Sequence, residues 1–271
     1  MVAIAHAPAA GHGAGAVARW VALQGLWVFV GVLVYFTVRG LTEGSVTQAD
    51  ANARRVIALE RRLGLDLEGE LQGVATGSDA LSTLANWVYI WGHWPVIVAT
   101  MIWLALRHRD SFLRLRDAML ISGAVGMVIF ALFPVTPPRL LDLGLADTVS
   151  ERSHAYRVLQ PKAFTNQYAA MPSLHTGWDL LVGIAIVTAA GSLWLRVVGF
   201  ALPTLMILAV VATANHYLLD AVAGVALVLV ADRLAVLLAR RRTRRQAARA
   251  SPEPAATAVA DPRRGSPGGS S

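Results

Sequence analysis

None of the 271 residues is cysteine, and Lys162 is the one lysine among 24 basic side chains. The missing thiols exclude a disulfide framework, thiolate nucleophiles and zinc–thiolate centres. The near-total replacement of lysine by arginine reads as compositional bias rather than function. Charge itself is scarce: Asp, Glu, Lys and Arg make up 15% of the chain, where a soluble domain carries about 25%. Apolar residues fill the difference, at 55%, in runs close to the roughly 20 residues that cross a bilayer. The chain is therefore expected to be an all-α, multi-pass membrane protein. A net charge of +7 could point to nucleic acid, but eight arginines lie between Arg240 and Arg264, so the excess is local and no nucleic-acid partner is expected.

Six apolar segments stand out, at residues 20–38, 84–106, 119–133, 174–193, 195–214 and 217–239. The third is short but can extend from Asp117 to Val135. The first run is too long for a signal-peptide core and no small-residue cleavage site follows it, so it is read as an uncleaved span. No internal repeat is visible. Four arginines occupy residues 107–116, Arg196 lies in the connection between the fourth and fifth segments, and an arginine run follows the sixth. With six spans these fall on one face, which is cytoplasmic by the positive-inside rule. Residues 39–83 and 136–173 then lie outside, and the first of these holds five arginines against seven acids. The expected layout is a cytoplasmic segment at 1–19, a six-span domain at 20–239 and a basic, disordered tail at 240–271. Outside, residues 50–71 place Val56, Leu59, Leu63 and Leu67 at helical spacing between arginines, as an amphipathic helix would.

This topology gathers the chain's polar islands at one surface. Arg139 follows the third segment, His175 opens the fourth, and His216 and Asp220 lie where the fifth meets the sixth. Such a set suits phosphoryl transfer. Four apart on a helix, His216 and Asp220 share a face, and the carboxylate can accept a hydrogen bond from one ring nitrogen. That leaves the other nitrogen free as a nucleophile. His175 could protonate the leaving oxygen and then activate the acceptor. Arg139 offers a forked cation, and Ser173 offers a hydroxyl at a helix N-terminus, both suited to phosphoryl oxygens.

Pro172-Ser173-Leu174-His175, followed by His216-Tyr217-Leu218-Leu219-Asp220 and preceded by Pro138-Arg139, resembles the type 2 phosphatidic acid phosphatase superfamily of membrane lipid phosphatases and phosphotransferases. The strings from Phe133 to Leu140, Met171 to His175 and Asn215 to Tyr217 look most like its inositol-phosphorylceramide synthase (aureobasidin-resistance) branch. The likeness implies a phosphohistidine on His216, oriented by Asp220, with His175 as general acid and Ser173 and Arg139 holding phosphate. It implies no metal or other cofactor, and a lipid phosphate or phospholipid as substrate at the extracytoplasmic face of the cell membrane. A phosphoinositol-type headgroup transfer is one form of this reaction.

Two departures stand against the pattern: Leu132 and Val210 occupy positions where the superfamily usually carries cations. Lys162, or Arg152 or Arg157, could substitute. Asp179, one turn after His175, either hydrogen-bonds that histidine or faces a polar bundle interior. Trp87, Trp91 and Trp94, with Tyr89 and His93, read as an interfacial aromatic belt. Asp232 and Arg233 are expected to snorkel or pair within the bundle. Two other functions compete: a metal-dependent lipid hydrolase with His175, His216 and Asp220 as ligands, and a non-enzymatic transporter or scaffold.

Overall fold

In the computed structural model, which describes residues 14–41, 45–149 and 166–250, every apolar segment forms helix. The described elements are α1 (Ala14–Leu41), α2 (Val46–Leu63), α3 (Glu68–Thr76), α4 (Asp79–Trp91), α5 (Trp94–Arg107), α6 (Arg109–Leu132), a 3₁₀ turn at Pro138–Leu140, α7 (Leu174–Ala189), α8 (Leu193–Ala212) and α9 (Leu218–Ala250). Among these residues there is no strand beyond a single parallel bridge, Val135 to Ala169. The protein is an all-α membrane protein, as its composition implies.

The span pattern differs from six equal crossings. Four helices, α1, α6, α8 and α9, are long and apolar enough to cross a bilayer alone, and α4 with α5 makes a fifth when taken together. That pair bends by 44° at Gly92-His93, where α5 restarts with Pro95 in its first turn, the position that needs no N–H. Trp94 therefore leaves the helix that carries Trp87 and Trp91, and the three do not form one belt. The fourth segment, α7, has 16 residues and spans only about 24 Å at 1.5 Å per residue. Ten of those residues are buried. This is the central helix, packed on α5, α6 and α8, and it needs little lipid-facing length.

One further expectation is corrected. The outer amphipathic helix is two helices, because Gly64 takes a left-handed φ of 68° and ends α2. Its buried face is Ala49, Asn52, Ala53, Val56, Ile57 and Glu60, whereas Leu59 and Leu63 are exposed. Towards the C-terminus, α9 is helical to Ala250. The alanine-, arginine- and glutamine-rich sequence there favours helix.

Candidate active site

Backbone hydrogen bonds bring the motif segments together at the ends of α6, α7, α8 and α9. After α6, Val135 N donates to Tyr168 O (2.7 Å) and Val135 O accepts from Ala170 N (3.3 Å), joining the Pro134–Arg139 segment to the stretch before α7. Arg139 N donates to Ala214 O at 2.9 Å, which ties the same segment to the α8–α9 turn. Ser173 N donates to Asp220 O at 2.9 Å, linking the starts of α7 and α9. Gly224 makes that approach possible, since a Cβ there would run into the Ser173 carbonyl.

His216 lies in the turn before α9 rather than on the helix, and the turn is tight. Ala214 adopts φ 52°, an uncommon left-handed conformation for a residue with a Cβ. The His216 Nδ1 sits 2.8 Å from the Ala170 carbonyl and 3.4 Å from Asp220 Oδ2. Both neighbours accept, so Nδ1 carries the proton and Nε2 keeps its lone pair. The sequence anticipates the Asp220 neighbour; the Ala170 carbonyl, the closer of the two, has no signature in side-chain identity. Asp220 is fully buried and its Oδ2 also accepts from Tyr217 N at 2.9 Å.

His175 is half-buried, with its ring 5.9 Å from that of His216. Behind it stands His93, only 2% exposed, with ring centroids 4.4 Å apart. Asp179 Oδ1 lies 2.8 Å from His93 Nδ1, so the hydrogen bond considered for His175 goes to His93 instead. Tyr89 also stacks on His175, with ring centroids 4.7 Å apart. In sequence His93 reads as part of an aromatic belt because nothing local distinguishes it. Only the break between α4 and α5 turns it inward.

Arg139 is largely buried and its Nε is 3.3 Å from Asp147 Oδ2, without an aligned hydrogen bond. Ser173 is fully buried and caps α7: its hydroxyl accepts from Thr176 N at 3.4 Å. Leu132 is 73% exposed, and Val210 is fully buried with its carbonyl accepting from Asn215 N and His216 N. Lys162, Arg152 and Arg157 lie outside the described residues. Among the described residues, no three His, Asp or Glu side chains converge as metal ligands. Asp232, at the other end of the bundle, is held by both arms of Arg114 at 2.7 and 2.6 Å.

Two more carboxylates reach the site from outside. Glu60 of α2 accepts from Leu219 N at 2.8 Å, and Glu68 of α3 accepts from Leu218 N at 2.9 Å. The same outer layer holds the Pro134–Arg139 segment, through Asn52 Nδ2 to Pro134 O (2.9 Å) and Thr136 Oγ1 to Asp50 Oδ1 (2.5 Å). A cavity of about 530 Å³ between α1, α5 and α6 is almost wholly apolar. Its wall includes Trp94 and Trp178, whose rings lie 5.3 and 6.1 Å from that of His93.

No curated protein matches this chain. Among solved structures, the crystal structure of Aquifex aeolicus LpxE is similar at 16% identity and a TM-score of 0.48, over 64% of this chain and 93% of that one. The family profile described as PAP2 superfamily matches residues 54–234, a stretch that contains every motif segment above. The chain thus belongs to the PAP2 superfamily and is an enzyme of the phosphoric-ester hydrolase type.

Proposed function

We propose that this enzyme acts on a lipid phosphate or phospholipid at the extracytoplasmic face, through a phosphohistidine on His216. One observation carries the reading: the Nδ1 side of His216 is closed by the Ala170 carbonyl and Asp220, which leaves Nε2 as the nucleophilic atom. In the first step Nε2 bonds to phosphorus and the bond from phosphorus to the leaving oxygen breaks. His175 gives that oxygen its proton. Asp220 stabilises the positive charge His216 acquires. In the second step His175 takes a proton from the acceptor, whose oxygen attacks phosphorus and releases His216. Water as acceptor gives hydrolysis. An alcohol gives transfer, and a phosphoinositol-type headgroup passed to a second lipid is the form suggested by the resemblance of the Phe133–Leu140 and Met171–His175 strings.

Arg139 is the described cation that serves the phosphoryl oxygens, and its fork has donors beyond the one facing Asp147. Ser173 acts mainly by ordering the N-terminus of α7, because its hydroxyl and its N–H are both engaged. Lys162 is proposed as a further phosphate contact from the outer loop. His93 and Asp179 back His175 from the buried side. The apolar cavity beside His93 suits a hydrocarbon chain, which favours a lipid over a soluble ester. The extracytoplasmic placement rests on the arginines of residues 107–116, Arg196 and 240–245.

The test is a panel of lipid phosphates, diphosphates and phosphatidylinositol, followed for both free phosphate and new lipid products. Phosphate release alone refutes the transfer form. Inactivity on the whole panel, with His216→Ala equal to wild type in cells, refutes the enzymatic reading.

A further inference from the structure

We propose that Glu60 and Glu68, on the outer helices α2 and α3, are positioning residues of the active site that seat the first turn of α9 by accepting its backbone N–H groups. The inference rests on the reading of His216 as the nucleophile. A helix N-terminus leaves its first N–H groups without intrahelical partners, and an Asp, Asn, Ser or Thr at the N-cap normally takes one of them. At α9 that position is Tyr217, which cannot. Instead the three N–H groups directly after His216 each go to a carboxyl: Tyr217 N to Asp220, Leu218 N to Glu68 and Leu219 N to Glu60. The two glutamates arrive from 150 and 159 residues earlier in the chain. Losing either frees the turn that holds His216 against the Ala170 carbonyl.

Three ionised carboxylates this close and this buried would repel one another. Glu60 is fully buried and Glu68 is 4% exposed. The groups facing Glu60 are Glu68 from α3, Asp66 from the α2–α3 connection (itself paired with Arg61 at 2.9 Å) and Asp220 from α9, with Tyr217 beyond. None of these carboxylates offers compensation. Burial pushes Glu60 up to about 8; the Leu219 N–H opposes this, and the charges of Glu68, Asp220 and Asp66 reinforce it. Burial raises Glu68 as well. Glu60 Oε1 holds the Leu219 N–H, while Oε2 is buried with no hydrogen-bond partner among the described residues.

The sign of the pH effect follows. A carboxyl whose folded pKa exceeds its unfolded value contributes fully below about 4.5, and that contribution is lost as pH rises through about 8. Within the folded protein the Glu60 carboxyl stays mostly protonated at neutral pH, so the clamp is closed there and opens on the alkaline side.

The experiment uses the full chain in detergent with phosphatidic acid as probe, comparing wild type, Glu60→Gln and Glu60→Ala. Glutamine can still accept from Leu219 N, but it does not titrate. Glu60→Gln should keep neutral-pH activity and lose the alkaline fall near pH 8. Glu60→Ala should lower kcat by about 10–100-fold with KM little changed, the cost of a small misplacement of the nucleophile. Hydrogen exchange over residues 216–220 reads the clamp without reference to catalysis. It should be faster in Glu60→Ala at neutral pH, and at pH 9 faster in wild type than in Glu60→Gln. Identical pH profiles and exchange for wild type and Glu60→Gln overturn the inference, even if Glu60→Ala fails to fold. If exchange behaves as stated but His216→Ala remains active, the clamp stands and the nucleophile assignment falls.

Discussion

Asp220→Asn separates the two partners of His216 Nδ1. The substitution conserves shape and leaves an oxygen to accept from Tyr217 N, so the start of α9 should survive. What it removes is the negative charge 3.4 Å from Nδ1. At an effective dielectric near 20, two unit charges about 4 Å apart interact by about 4 kcal/mol, an upper bound on what the carboxylate gives the imidazolium. A hydrogen bond to a charged group nets about 1.5–3 kcal/mol, and this one is long. In a Ser–His–Asp triad the same change costs about 10⁴-fold, because the histidine adopts the wrong tautomer. Here the Ala170 carbonyl at 2.8 Å still demands a proton on Nδ1, so the tautomer is preserved. The loss should be confined to charge stabilisation, about 10–150-fold in kcat, with KM nearly unchanged. Phosphate release from phosphatidic acid in mixed micelles, paired with a thermal-unfolding check, measures it. A loss of 10⁴-fold in a folded variant would show that Ala170 does not fix the tautomer. An unchanged rate would show that Asp220 is structural alone.

Other expectations follow from single contacts. Gly224→Ala should destabilise by about 1–3 kcal/mol and impair activity, because the added methyl meets the Ser173 carbonyl; unfolding in detergent gives the first and phosphate release the second. Asp179→Ala leaves the buried His93 Nδ1 without its partner and should cost about 1–3 kcal/mol, again read by thermal unfolding. His93→Gln should lower kcat about tenfold through the misplacement of His175, while a residue of the aromatic surface such as Trp87, 62% exposed, should tolerate replacement by leucine. Activity should persist in a chelator, since the proposed steps are all carried by side chains; its loss and recovery with added metal would favour metal-assisted hydrolysis.

The sequence is most legible where chemistry needs particular side chains. His175, His216, Asp220 and Arg139 are polar groups in an apolar chain, and the arginine distribution alone sends them to the same end of the bundle, where backbone bonds join their segments. Helix interruptions are harder to read. The bend at Gly92-His93 turns a supposed belt histidine into a neighbour of His175, and Gly64 divides a pattern that looks continuous in one dimension. The face of α2 is misread for a physical reason: Leu59 and Leu63 point outward, while Asn52 and Glu60 point in, because they satisfy backbone groups of Pro134 and Leu219. Hydrophobic periodicity cannot reveal a polar face buried for hydrogen bonding. The Ala170 carbonyl is equally invisible, since every residue has one.

The central claim is that His216 becomes covalently phosphorylated, and the most direct measurement is to trap that state. Wild-type protein mixed with ³²P-labelled phosphatidic acid and quenched within milliseconds should carry alkali-stable, acid-labile label on the peptide containing His216. The label should be absent from His216→Ala and should accumulate when His175 is replaced by a residue unable to activate the acceptor. Turnover with no label in any quench, or label on a residue other than His216, would contradict the account.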